Sequence, residues 1–509
     1  MSERTIRSFH RGGGLAALGV AMLATGPLAA AEQGRLVRVT PGASPFANCT
    51  ADDLALQEAV CSAVGAPCVN YPNTEIEPWV DANPTDPRNL IAGWQQDRWS
   101  NGGARGNVTA FSKDGGRTWT RVLVPGTSLC SGGLFARNSD PWVSVSPNGT
   151  AYFMTLAFQP DRSDGGFGAN AMLVNRSTDG GASWGPPVTL IQDTNGQVLN
   201  DKNSLTADPT NPSFAYAVWD RLRDFTLPEA QQAGIAALAA ATKPAIMDGV
   251  AIAREWVRRQ KAEAAATGAA QAAPAQLVVE FEGPATFTRT TDGGASWGPP
   301  EIIYDPGPNA QTIGNLVAVP PNGNVIDFFV DIPPNGVLRL ALLRSFDKGA
   351  NFESTPTYIE NVSFSLTGTI TPDLQEPVRD AAILFDVAVD RDSGALYIVW
   401  QDTRFRGVDE VAFSRSLDNG QSWSTPVRIN RTPASGNLLR QQAFVPSIEV
   451  AANGKLVVTY YDFRNDRGEG ELTDHWAVFC SADRTRRASW GEELRLTRRS
   501  FDMLDAPIA

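Results

Sequence analysis

The chain has 509 residues, a formal net charge of −12 and only two histidines. The acidic balance argues against nucleic acid or anionic lipid as the main partner, and so few histidines nearly exclude zinc centres and His-based triads. Length alone does not count domains here, because large repeat folds exceed the usual domain size.

The first segment reads as an export signal. Arg4, Arg7 and Arg11 form a positive start, Gly14 to Ala24 a short apolar core, and Ala29-Ala30-Ala31 a cleavage site. Residues 1–31 are therefore expected to be removed, leaving a periplasmic or extracellular protein. That removal takes three Arg and one Glu, so the charge becomes −14. No later apolar run is long enough to span a bilayer. Residues 32–74 form an N-terminal extension. Of the five cysteines, Cys49, Cys61 and Cys68 cluster there, which predicts one local disulfide; Cys130 and Cys480 lie further on.

From residue 75 to 498 one octapeptide recurs: SKDGGRTW at 112–119, STDGGASW at 177–184, TTDGGASW at 290–297, SFDKGANF at 345–352 and SLDNGQSW at 416–423. A degraded copy, Ser481-Ala482-Asp483 with Trp490, closes the series. A second pattern runs in phase with it. Each unit opens with an apolar strand, turns at Pro, Asn, Asp or Gly, and returns: EPWVDANP then NLIAGW, DPWVSVSPNG then TAYFMTLAF, and so on to PSIEVAANG then KLVVTYY. One strand precedes each octapeptide and one follows it. This predicts an all-β six-bladed β-propeller of four-stranded antiparallel blades.

In each octapeptide the Ser/Thr and Asp suit side-chain bonds to turn backbone, glycine supplies positive φ, and the aromatic ring suits burial between sheets. The third unit carries an alanine-rich insertion, residues 226–277, with the stripe Ile246, Val250, Ala253, Trp256 and Val257; it reads as an α-helical decoration or lid. Residues 499–509 are a C-terminal tail.

Strand alternation puts the octapeptides on one face and the loops between second and third strands on the other. Those loops carry Asp97-Arg98, Asp161-Arg162, Asp220-Arg221, Asp402 with Arg404, and Asp462 with Arg464, while unit four has Asp331 without a nearby Arg. A feature repeated in nearly every blade fits a structural salt bridge; the arginines also suit a pocket mouth. Asymmetry points more directly to function. Aligning the first strands places Glu77, Asp140 and Lys202 at equivalent positions, with Ile313 and Val445 in units four and six and an apolar stretch around Ile383 in unit five. Two carboxylates beside an amine suit acid–base work, although both also suit loop hydrogen bonding. Tyr460 and Tyr461 end the second strand of unit six.

The octapeptides (Asp boxes) and their six-fold register resemble the sialidase (neuraminidase) superfamily over nearly the whole mature chain. The resemblance implies an arginine triad for the substrate carboxylate, an aspartate acid/base and a tyrosine nucleophile. By blade position, Asp97 matches the acid/base, Arg404 and Arg464 the later arginines, and Tyr461 the nucleophile. The blade-one arginine of a Phe-Arg-Ile-Pro-like motif is replaced, since Ile76-Glu77-Pro78 stands there. A glutamate repels the carboxylate that a guanidinium grips.

Two function classes follow. One is a secreted glycoside hydrolase related to exo-α-sialidases and acting on terminal sugars. Its catalytic candidates are Tyr461, Asp97, Glu77 and Asp140, and its substrate-binding candidates are Arg98, Lys202, Arg221, Arg404 and Arg464. The other is a non-catalytic glycan- or protein-binding propeller. No cofactor is expected; a calcium site made from front-face carboxylates is the weaker third reading. A monomer acting on a glycan or glycoconjugate is expected.

Overall fold

The computed structural model describes residues 36–40, 42–51, 69–161, 166–225, 280–335, 337–359, 368–468, 470–480 and 484–505. The signal segment, the alanine-rich insertion, Cys61, Cys68, Arg162 and Ser481 to Asp483 lie outside the described residues.

The described chain is all-β, with four short 3-10 turns as its only helical pieces. The first unit contains β1 (Asn70–Ala82), β2 (Leu90–Trp99), β3 (Ala104–Ser112) and β4 (Thr120–Leu123). The second contains β5 (Arg137–Val145), β6 (Ala151–Phe158), β7 (Asn170–Ser177) and β8 (Val188–Asp193). The third contains β9 (Val198–Ala207), β10 (Ala215–Asp224), β11 (Phe281–Glu282), β12 (Ala285–Thr290) and β13 (Glu301–Tyr304). The fourth contains β14 (Gln311–Ala318), β15 (Val325–Ile332), β16 (Arg339–Ser345) and β17 (Thr357–Tyr358). The fifth contains β18 (Phe385–Val389), β19 (Leu396–Asp402), β20 (Glu410–Ser416) and β21 (Val427–Arg428). The sixth contains β22 (Ala443–Val450), β23 (Leu456–Asp462), β24 (Leu472–Cys480), β25 (Trp490–Arg495) and β26 (Phe501–Asp502). Within each unit the strands pair antiparallel in chain order. The first two units merge into one eight-stranded sheet through Ala104 and Asn138. First strands of successive units are neighbours from β1 to β22.

The octapeptides close the hairpins between third and fourth strands. In the first, Ser112 Oγ accepts the Gly116 N–H at 2.9 Å and donates to Asp114 Oδ1 at 2.8 Å. Asp114 also accepts the Thr118 N–H at 2.9 Å and its hydroxyl at 2.6 Å. The same bonds recur around Asp179, Asp292, Asp347 and Asp418. These aspartates are structural, and hydrogen bonds, led by the Thr118 hydroxyl, hold Asp114 down to about 2.

From the second unit onward the aromatic residue of the octapeptide packs against the preceding unit, while Trp119 of the first packs with Phe46, Trp94 and Val108. Trp297 meets Tyr152, Phe352 meets Phe287 and Trp423 meets Phe328, each edge-on at 6.3, 4.9 and 6.0 Å; Trp490 of unit six meets Phe413 at 4.8 Å. Trp184 donates its indole N–H to Thr109 Oγ1 of unit one at 2.9 Å. Edge-to-face pairs at such spacing stabilise by ~0.5–1.5 kcal/mol beyond the area they bury.

One disulfide differs from the expectation. Cys49 bonds Cys130, with Cα atoms 5.6 Å apart, and so ties the N-terminal extension to the connection between β4 and β5. Cβ geometry and not nearness in sequence selects the partner. Phe46 inserts beside this bridge, fully buried against Trp94 and Val108. Cys480 is a buried thiol. No helix among the described residues is long and apolar enough to cross a membrane.

Candidate functional site

The first strands of five units share a two-against-one β-bulge near their start, opposite the end of the second strand. The pairing runs Ile76–Gln95 then Trp79–Gly93, Ser139–Leu156 then Trp142–Met154, and Asp201–Asp220 then Ser204–Val218. Ile313–Val330 then Leu316–Phe328 and Phe444–Tyr461 then Ser447–Thr459 complete it. The first bulged residue takes positive φ in every case: Glu77 (51°), Asp140 (49°), Lys202 (48°), Gly314 (71°) and Val445 (50°). The expected equivalence of Glu77, Asp140, Lys202 and Val445 therefore stands. Unit four contributes Gly314 and not Ile313, because the bulge shifts the register by one residue. In unit five the positive-φ residue is Ala381 (47°), ahead of β18, and Ile383 is core. A β-branched Val445 in this conformation is strained, yet it is 43% exposed.

Glu77, Asp140 and Lys202 come together. Asp140 Oδ1 accepts from Ser139 Oγ at 2.6 Å and Oδ2 from the Lys202 N–H at 3.0 Å, with Lys202 Nζ at 3.9 Å. Gln95 donates to Glu77 Oε2 and to Ser139 Oγ at 2.9 Å, and accepts from Arg98 Nη1 at 2.9 Å. Arg379 Nη1 stands 3.6 Å from Glu77 Oε1. Arg98, Asp140, Lys202 and Arg379 line one open cavity of about 50 Å³, with Phe158 and Leu199 as apolar wall. That volume is small beside the roughly 300–1,000 Å³ of small-molecule pockets.

The two carboxyls diverge. Desolvation pushes Glu77 up, but Lys202, Arg379, Arg98 and the Gln95 bond together outweigh it and hold the group below its ordinary value. Desolvation raises Asp140, and the Glu77 charge raises it further against the pull of Lys202. Neighbouring carboxyls pushed apart in this way divide acid and base roles between them.

The other candidates lie elsewhere. Asp97 is fully buried and accepts from Ser44 Oγ (2.6 Å), the Asn73 N–H (2.7 Å) and Gln96 Nε2 (3.0 Å), so it fastens the N-terminal extension to β2. With these bonds made it has no path to a substrate proton. Arg221 pairs with Asp193 at 2.7 Å. Arg404 pairs with Asp402 at 2.7 Å. Arg464 is clamped by Asp462 at 2.5 Å and by Glu493 at 2.5 and 3.0 Å, over the Trp476 ring. Arg404 and Arg464 close their own loops, whereas Arg221 bridges from the third unit to β8 of the second. Tyr461 stacks on His475 at 4.3 Å and on Phe444 at 5.9 Å. Burial raises its pKa and lowers His475 to about 4.

Gln95 and Arg379 carry no motif. Gln95 shares the strand position of Tyr461, which only the bulge register reveals; Arg379 sits on the connection into β18 and had no signal. Among the described residues, Asp373, Asp466 and Glu471 are the acidic group whose oxygens lie within 4.8 Å of one another. Arg440 already neutralises Asp373 and Asp466, each at 2.9 Å, and the Asp373 and Leu374 amides bond Glu471. Glu77 and Asp140 are not part of it.

No protein-family model matches the chain, and neither does any curated protein. Among solved structures it is similar to the Hadza microbial sialidase Hz136, at 14% identity, covering 81% of this chain and 67% of that one, with a TM-score of 0.40. It is also similar to an α-L-arabinanase of Penicillium chrysogenum, at 14% identity over 76% and 88% of the two chains (TM-score 0.43). A NanB sialidase of Streptococcus pneumoniae gives 10% identity over 81% and 85% (TM-score 0.39). Likenesses this distant say nothing about activity.

Proposed function

We propose that the chain is an exported glycoside hydrolase whose six units close into a β-propeller, with its site at the bulge-bearing end of the central strands. Closure is supported by the influence of Asp386 on β18 and of Asp81 on β1 upon Glu449 of β22, since both charges raise Glu449. The observation that carries the activity is the Glu77–Asp140 pair, held on equivalent bulges of adjacent units with opposite shifts and flanked by three cations. Asp140, the group that holds its proton longer, donates it to the glycosidic oxygen as the C–O bond breaks. Ionised Glu77 opposes the positive charge developing on the sugar, as nucleophile or as base to a water. Arg98, Lys202 and Arg379 give the cavity a cationic wall in place of the missing blade-one arginine, which suits terminal acidic sugars of the sialoside type. Tyr461 has no part in this scheme, because burial disfavours its phenolate.

The test is release of a fluorogenic aglycone from α-sialosides, and from neutral glycosides beside them, by the mature protein. Asp140→Asn and Glu77→Gln should each lower kcat by 10²–10⁴, the range for general acid–base groups, while Tyr461→Phe stays within a few-fold. Loss confined to Tyr461→Phe would overturn the assignment. A second reading, a glycan-binding module without turnover, is favoured by one observation: both carboxyls are already satisfied by protein donors around a small cavity. Saturable glycan binding with no aglycone release would establish it.

A further inference from the structure

Between the outer edge of the fifth unit and the sixth, four guanidinium groups gather around one carboxylate. Arg406 donates to Glu410 Oε1 through Nε at 2.9 Å and through Nη2 at 2.5 Å. Arg428, at the end of β21, reaches the same oxygen. Arg431 bonds the Trp490 carbonyl of unit six, and exposed Arg487 bonds the Asn430 carbonyl at 3.4 Å. After desolvation, repulsion from Arg428 and Arg431 is what lowers Arg487 most. Glu493 takes the Arg431 backbone N–H at 2.9 Å, but Arg464 already clamps both its oxygens. Around Glu410 the positive charges thus exceed the negative by three, in a chain whose net charge is −12.

Two buried polar atoms in this cluster are unsatisfied: Arg431 Nε lacks an acceptor and Glu410 Oε2 lacks a donor. Glu410 is fully buried. Gathering like charges and leaving buried donors and acceptors unmade are both unfavourable. One kind of ligand relieves both. A protonated phosphate offers oxygens to the guanidinium forks and an O–H to Glu410 Oε2. We propose that this arginine cluster, separate from the central cavity, binds a phosphate group, either as inorganic phosphate or carried on a saccharide. The ligand would staple the fifth unit to the sixth.

The experiment is thermal denaturation of the whole chain at pH 5, where a phosphate monoester (second pKa ≈ 6) and inorganic phosphate, whose second pKa is higher, both keep a proton and sulfate has none. Inorganic phosphate, glucose 6-phosphate, sulfate and chloride are compared at constant ionic strength. Saturable stabilisation by phosphate, at least tenfold stronger in apparent affinity than by sulfate, is expected. Whichever of the two phosphates binds more tightly identifies the source. Arg487→Gln, an exposed change whose ligand-free melting should match the parent, should weaken the phosphate response about tenfold. A phosphate response equal to that of sulfate or chloride, or one unchanged in Arg487→Gln, overturns the proposal.

Discussion

Asp386 offers a test of the joint between the fifth and sixth units in which the sign of the effect changes with pH. Its Oδ2 accepts the Ser447 hydroxyl at 2.7 Å and the Ile448 N–H at 2.8 Å, both on β22, while Oδ1 accepts the adjacent Val387 N–H at 2.9 Å. Desolvation nevertheless raises the carboxyl to about 6, against an ordinary value of 3.8. The folded chain therefore keeps a proton that the unfolded chain has released. The contribution of Asp386 is fully present below pH 3.8, falls as pH rises through the window and is lost above about 6. A displacement of 2.2 pH units corresponds to ~3 kcal/mol at 1.36 kcal/mol per unit. Asp386→Asn keeps an acceptor for Ser447 and Ile448 and removes the charge. It also faces the Val387 N–H with a donor, a loss of about 1 kcal/mol that is the same at every pH. The variant should thus be about 0.5 kcal/mol less stable than the parent at pH 4, where part of the penalty is already present, and about 2 kcal/mol more stable at pH 8. Glu449, raised to about 7 by burial first and by Asp386 and Asp81 next, adds to the gain at high pH because one of its repulsive neighbours is neutralised. Urea denaturation of both chains at pH 4, 6 and 8 measures the difference. Parallel curves, with a constant offset across that range, would refute the reasoning.

Two further outcomes are expected. Replacing both Cys49 and Cys130 by serine should destabilise the chain by ~2–5 kcal/mol and expose the amides of residues 42–49 to hydrogen exchange, read by mass spectrometry. Lys202→Met should raise both Glu77 and Asp140, since Lys202 is the largest favourable charge acting on each; a glycosidase profile of kcat/KM against pH should then move to higher pH on both limbs, and an unmoved profile would remove these carboxyls from the reaction.

What was legible in the sequence follows from how local each feature is. The octapeptides announce themselves because every bond they need joins residues no more than four apart, between Ser112 and Thr118. The strand pairs around them were legible from alternation and turn residues for the same reason. The grouping of Glu77, Asp140 and Lys202 was legible because three units carry polar residues where the others do not. Its register was not, in unit four, since a bulge that sets Gly314 and Asn315 against one residue of β15 leaves no mark in a hydrophobic pattern. The Cys49–Cys130 bridge spans 81 residues, a pairing that spacing cannot select. Gln95 and Arg379 act through a fold-level approach between segments far apart in sequence.

The Asp–Arg loops show how repetition and function separate in a repeat fold. Asp402 with Arg404 and Asp462 with Arg464 are closed pairs at 2.7 and 2.5 Å with their carboxylates fully buried. Such a pair completes its own loop, in the fifth unit and again in the sixth. Arg98 departs from this pattern, because the aspartate beside it is taken by Ser44 and Asn73 of the N-terminal extension and its own guanidinium turns to Gln95. The extension thereby engages the aspartate of this loop, and Arg98 lines the cavity beside Asp140. A position repeated in five of the six units can bear chemistry where some other segment takes up its usual partner. In the first unit Ser44, near the Cys49–Cys130 bridge, takes up Asp97, and the cavity lined by Arg98 and Asp140 opens beside that unit.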